Sequence, residues 1–174
     1  MRYFCPMTLN SRISVIGLGS PIMTDDSVGL RLAQRIQDRH LPDTDVRQEA
    51  VGGLDILPCI RGYSYTVIVD AIQTGKYGPG TVLIFDVADF EDTVRDVPAH
   101  DINLATAIRI GRQMDPDSMP CQVKFVAVEI ADMQTMSEEL TPAVAGSLDS
   151  AEKAVLHVIK GFQTDREQRS AGKK

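Results

Sequence analysis

The sequence is short of cysteine, of long apolar runs and of positive charge, and each shortage removes a class of function. Its three cysteines, Cys5, Cys59 and Cys121, are far apart and odd in number. They form no CxxC pair and suggest no disulfide framework, which predicts a reducing, cytoplasmic setting. No stretch approaches the roughly 20 apolar residues of a membrane span, and the N-terminus (MRYFCPMTLN) lacks the apolar core of a signal peptide. A soluble, unexported protein with no membrane partner is expected. The formal net charge is −6, and no basic patch stands out. Duplex affinity depends on such patches, so nucleic acid is excluded and partners are expected to be neutral or basic.

What is present is an ordinary globular composition, with 43% hydrophobic and 24% charged residues in 174. A chain of this size buries about 70% of its unfolded surface as one domain. Residues 13–162 are read as that single domain, preceded by an arm (1–12) and followed by a polar, disordered tail (163–174) with no apolar period.

The organising stretch is ISVIGLGSPIMTDDSVGLRLAQRI, from Ile13 to Ile36. Ile13–Leu18 is β-branched and apolar, and Val28, Leu32, Ala33 and Ile36 recur at helical spacing, so it reads as strand, turn and helix. Adjacent acids, Asp25 and Asp26, stand in the turn. A dinucleotide fingerprint fails here: after Gly17 and Gly19 the third glycine should be residue 22, which is Ile22. Two carboxylates would also repel phosphate from the helix amides. Asp25 or Thr24 can cap the helix. One acid suffices for that, which leaves a metal or acid/base role open to the other.

Further along, Asp45–Val51 reads as a second strand feeding Gly52-Gly53, and Leu54–Gly62 as a short helix. Tyr65–Val69 is a third strand, buried on both faces and ending in Asp70. The loop 73–80 is too short for a helical crossover, so the strand Thr81–Asp86 is expected antiparallel to the third. An acid-rich, mobile segment then leads to a helix entered at Pro98-Ala99-His100-Asp101, with Leu104, Ala105 and Ile108 as its stripe. Gly111–Pro120 reads as loop and Gln122–Ile130 as a fifth strand. Thr141 and Pro142 open the last helix, with a stripe of Val144, Leu148, Ala151, Val155, Val158 and Phe162. His40 is expected to be exposed at a helix end and His157 structural.

Strands alternating with helices predict a three-layer α/β/α sandwich around a five-stranded mixed sheet, in the order 2-1-3 with one antiparallel strand. That order brings Asp26 and Asp70 to the carboxyl ends of neighbouring strands, with the helix entrance carrying His100 at the same edge. Two carboxylates and an imidazole suit a borderline divalent ion such as Zn²⁺ or Ni²⁺. The metal-free alternative is a pair of acids sharing a proton, with His100 as their partner.

GLGSPIMTDDSVG, VIVDAIQTGKYGPGTV and AHDINLATAI, in that order, resemble the hydrogenase maturation proteases, and the resemblance extends from about Ile13 to Phe162, including VAVEI and LTPAV. That family removes a C-terminal peptide from the large-subunit precursor of [NiFe] hydrogenases. The resemblance implies that Asp26, Asp70 and His100 contact nickel already inserted in the precursor, with little or no resident metal. The resemblance does not fix how the peptide is cut: Asp26 is the candidate catalytic carboxylate of an aspartyl-like endopeptidase, able to activate water instead of holding metal, and a monomer whose partner is the precursor is expected. Ser20 and Ser27 depart from the family's usual Asn and Gly or Ala, and Gly52-Gly53 matches its glycine-rich second turn. A non-catalytic nickel or hydrogenase-subunit chaperone on the same fold is the rival expectation.

Overall fold

The computed structural model describes residues 9–89 and 99–171, with side chains described for all of these except 99–103. The chain runs through β1 (Asn10–Leu18), α1 (Val28–Gln37), β2 (Thr44–Glu49), α2 (Leu57–Ile60) and β3 (Tyr63–Ile72). It continues through β4 (Val82–Asp86), α3 (Ala99–Met114), β5 (Gln122–Glu129) and α4 (Pro142–Ala171). The five strands form one sheet in the order β2-β1-β3-β5-β4. All neighbours are parallel except β4 and β5.

Alternation along the strands divides the core into two layers. Ile13 and Val15 of β1, with Tyr65, Val67 and Val69 of β3, face α1 and α4, where Val28, Leu32, Ile36, Ala151 and Val155 meet them. Ile16, Leu18 and Ile68 face the other way, onto Ile60 of α2 and Leu104 and Ile108 of α3. This is the expected three-layer sandwich, and the expected 2-1-3 order lies within it. β4 runs antiparallel to β3 as expected but is not beside it, because β5 lies between them. Among the described residues no helix is long and apolar enough to cross a membrane.

Several boundaries differ from the sequence reading, each for a tertiary reason. β1 begins at Asn10, inside the expected arm, where Arg12 pairs with Asp45 of β2 at 2.6 Å. β3 runs on to Ile72, so Asp70 lies within the strand, its backbone paired in register with Ala127 of β5. Helix α3 continues through Gly111, which had read as the start of a loop. A Cβ there would come within 2.8 Å of Leu57 and 2.9 Å of Met119, so the glycine serves close packing rather than helix termination.

Helix α4 reaches Ala171, where a disordered tail was expected. Asp165 accepts hydrogen bonds from Tyr65, from Gln122 at 2.7 Å and from Arg169, while Arg166 pairs with Asp43. These anchors join the last turns to the amino ends of the strands. Cys121 is disulfide-bonded, which corrects the expectation of no disulfide, whereas Cys59 is free. Residues 90–97 of the expected acid-rich mobile segment lie outside the described residues.

Candidate active site

The carboxyl edge of β1 and β3 is built on glycine. A Cβ on Gly17 would fall 2.2 Å from the Gly29 carbonyl oxygen. A Cβ on Gly29 would fall 2.2 Å from that of Leu18 and 2.5 Å from that of Val69. The first turn of α1 therefore rests directly on the ends of both strands, with no side chain between. Gly19, at φ 137°, brings its backbone against the carbonyl of Asp26 in the same way. These contacts deliver the turn Thr24–Ser27 to the point where β1 stops beside Asp70.

Within that turn the two acids differ completely. Asp26 is half-buried, and its Oδ2 accepts a hydrogen bond of 2.7 Å from the Ser20 amide. Its Oδ1 takes no hydrogen bond from the described residues. Asp25 is fully buried, and its oxygens accept from the amides of Thr141 at 2.7 Å and of Ala131 and Asp132 at 3.1 Å. The Thr141 hydroxyl adds a fourth bond at 2.9 Å. Neither Asp25 nor Thr24 caps α1, as the sequence had suggested: the Asp25 side chain reaches the loop after β5, and the Thr24 hydroxyl donates to the Thr135 carbonyl at 2.6 Å. A carboxylate can accept about four hydrogen bonds, so Asp25 is saturated.

Asp70 is 5% exposed, and its Oδ1 accepts from the amide of Ala71 at 2.9 Å. By strand alternation it shares a face with Ile68, which packs on Leu104, Ala105 and Ile108 of α3. His100 is the second residue of α3, one helical turn before Leu104. The backbone therefore carries His100 on the layer that Asp70 faces, and the His100 side chain lies outside the described residues. Of the three metal-contact residues expected from the sequence, Asp26 stands in the turn that packs on the ends of β1 and β3, and Asp70 stands near the carboxyl end of β3.

Sequence reasoning missed Glu129. It is 1% exposed at the end of β5, and its carboxylate accepts from the amides of Thr74 and Gly75 and from the Thr74 hydroxyl, at 2.8–2.9 Å. It thus orders the loop after β3, as Asp25 orders the loop after β5. The signal was available: a single acid in the apolar run VAVEI must find partners when buried. Asp132 also stiffens its loop, accepting from the amides of Gln134 and Thr135 in an Asx turn. A hydrogen bond from the Thr135 hydroxyl, helped by those from the amides of Thr135 and Gln134, lowers its carboxyl from the ordinary Asp value.

Asp25, Asp26 and Glu129 form no ion pair with Lys or Arg among the described residues, and backbone amides supply most of their hydrogen bonds. The edge is thus acidic, with one carboxylate oxygen of Asp26 still able to take a ligand. This is the carboxyl edge of an open α/β sheet, and its chemistry suits a cation or acid/base work.

Comparison with known proteins gives the chain a family. The HycI model, described as hydrogenase maturation protease, matches residues 28–158, a span that contains Asp70 and His100 and begins two residues after Asp26. Hydrogenase 2 maturation protease of Escherichia coli strain K12 is 26% identical over 152 residues, covering 86% of this chain and 91% of its own. The hydrogenase expression/formation protein HupD of Rhodobacter capsulatus is 26% identical over 145 residues, covering 80% of this chain and 67% of its own. The structure of the hydrogenase maturating endopeptidase HybD from E. coli superposes with a TM-score of 0.71 at 23% identity, covering 86% of this chain and 93% of that one. The chain belongs to the hydrogenase maturation protease family and is a peptidase.

Proposed function

We propose that this protein removes the C-terminal peptide of a [NiFe] hydrogenase large-subunit precursor after nickel has been inserted, and that it uses that nickel to recognise the precursor as ready. The observation that carries the reading is that the turn bearing Asp26 packs on the ends of β1 and β3, beside Asp70 of β3, with Asp26 retaining an oxygen that takes no hydrogen bond from the described residues. Nickel belongs to the substrate. Asp26, Asp70 and His100 are the contacts proposed for it, a two-oxygen, one-nitrogen donor set that suits a borderline divalent ion.

Such a set is weak without thiolates, so the isolated protein holds metal loosely, and a precursor that presents nickel completes the coordination. Asp26 is also the proposed catalytic carboxylate. Being half-exposed, it is the acid of the turn that a scissile peptide or its attacking water can reach, whereas Asp25 is sealed in.

The test treats protein and precursor separately with chelator, restores nickel to the precursor alone, removes the excess, and follows the released peptide by mass spectrometry. Cleavage of the nickel-loaded precursor only is expected. Equal cleavage of nickel-free precursor would rule out recognition through the metal, and cleavage restored only by metal added to the protein would indicate a resident ion.

A further inference from the structure

Asp25 stands next to the proposed catalytic carboxylate and is not among the contacts proposed for nickel. A buried carboxylate is expensive unless its charge is met. Here it is met without a cation, by two successive amides of the loop after β5 and by the amide and hydroxyl of Thr141. Thr141 is the N-cap of α4, since its carbonyl accepts the amide of Ala145, and the helix dipole there favours negative charge.

All four bonds reach residues 106–116 positions away, and none goes to the helix that Asp25 precedes. The backbone is clamped alongside: the Asp25 amide donates to the Asp132 carbonyl at 3.1 Å, and Met23 pairs with Met136 as an isolated bridge. On the opposite flank, Gly19 packs on the Asp26 carbonyl and the Ser20 amide holds Asp26 Oδ2. The turn is thus gripped from two sides, and the residue between the grips is Asp26.

We infer that Asp25 is a positioning residue for Asp26: its buried carboxylate locks the 24–27 turn to the N-terminus of α4 and so fixes where the Asp26 carboxylate points. The inference rests on the proposed protease reading. Asp25 itself is out of reach of any substrate, so its effect reaches the reaction only through Asp26, as the proposed catalytic carboxylate and as a proposed nickel contact. A misplacement of about 1 Å at a reacting group can cost on the order of 100-fold in rate.

The experiment measures kcat and KM for cleavage of a nickel-loaded large-subunit precursor, well below each variant's melting midpoint. Wild type, Asp25→Asn and Glu152→Gln are compared. Glu152 is the matched control, being 5% exposed and ion-paired with Arg35 and Arg39 between α1 and α4, remote from the turn. Asp25→Asn keeps the shape but sets an amide group against amide donors. It should lower kcat about 10- to 100-fold and raise KM for the nickel-loaded precursor, because a misplaced Asp26 also misplaces a nickel contact, while Glu152→Gln keeps both. A folded Asp25→Asn with wild-type kcat would overturn the inference, as would an equal kcat loss in Glu152→Gln.

If Asp25→Asn fails to fold, Thr141→Val decides. It removes one donor at constant size, and a kcat lowered a few-fold supports the inference whereas an unchanged kcat overturns it. Absence of cleavage by wild type would defeat the proposed function itself and the inference with it, an outcome visible before any variant is compared.

Discussion

The two ends of the sheet both collect acids, but they hold them by different means. At the amino end, Asp45 receives Arg12 through two nitrogens, at 2.9 and 2.6 Å, and the Tyr63 hydroxyl at 3.1 Å. Asp43 and Asp165 are likewise met by Arg166 and Arg169. At the carboxyl end, Asp25, Asp26 and Glu129 are met by backbone amides and threonine hydroxyls. An arginine cancels the charge it binds, whereas an amide fixes a carboxylate's direction and leaves its negative field in place. The amino end is therefore electrostatically closed, a fastening between elements. The carboxyl end remains able to attract a cation.

If that contrast is right, the largest effect comes from Asp26. Asp26→Asn keeps an acceptor for the Ser20 amide but removes the charge, so precursor processing should be abolished while stability stays within about 0.5 kcal/mol of wild type. Processing is read by mass spectrometry and stability by denaturant titration. Normal processing by a folded Asp26→Asn would erase the functional difference between the two ends.

An intermediate effect is expected at Glu129. The amides of Thr74 and Gly75 both donate to Oε1, so Glu129→Gln keeps those two bonds with its oxygen but sets an NH2 group where Oε2 accepted the Thr74 hydroxyl, which brings a buried N–H with no described acceptor. Buried donors left unsatisfied cost about 1–3 kcal/mol each, so the melting temperature should fall clearly. Unchanged melting would mean that the loop after β3 does not need its buried acid.

The smallest effect belongs to the amino end and depends on pH. Hydrogen bonding from the Arg12 guanidinium, opposed by partial burial and helped by Tyr63, holds the Asp45 carboxyl below the ordinary value of 3.8. A group whose folded pKa is depressed contributes stability that is fully present above its unfolded pKa and lost as pH falls through the folded one. Wild type should therefore lose part of its advantage over Asp45→Asn only below about pH 4. The pair is partly exposed, so the difference is small and should shrink in high salt. A stability gap that widened toward acid would contradict the assignment.

Much of this architecture could be read in the chain itself, and the residues show why. The β-branched runs at Ile13–Leu18 and Tyr65–Val69 and the stripes of α1 and α4 are local patterns, since the period of apolar residues follows directly from strand and helix geometry. The Asp25-Asp26 pair and Asp70 were visible as acids at the ends of such runs. For Asp25 a helix cap was expected where a long-range anchor exists. Gly111 was misread because local propensity treats glycine as a breaker, and only the neighbouring Leu57 and Met119 reveal that it makes room.

By itself, then, the sequence determined the periodicities, the strand-turn-helix that carries two acids, and the family that those motifs mark. Tertiary structure alone decided which acid is sealed and which is open, that Glu129 props a loop, that β5 inserts between β3 and β4, and that the last helix continues to Ala171. The physical reason is range. Secondary structure answers to neighbours a few residues away, whereas the partners of a buried carboxylate are chosen by whatever amides the fold brings to it, here from more than 100 positions along the chain.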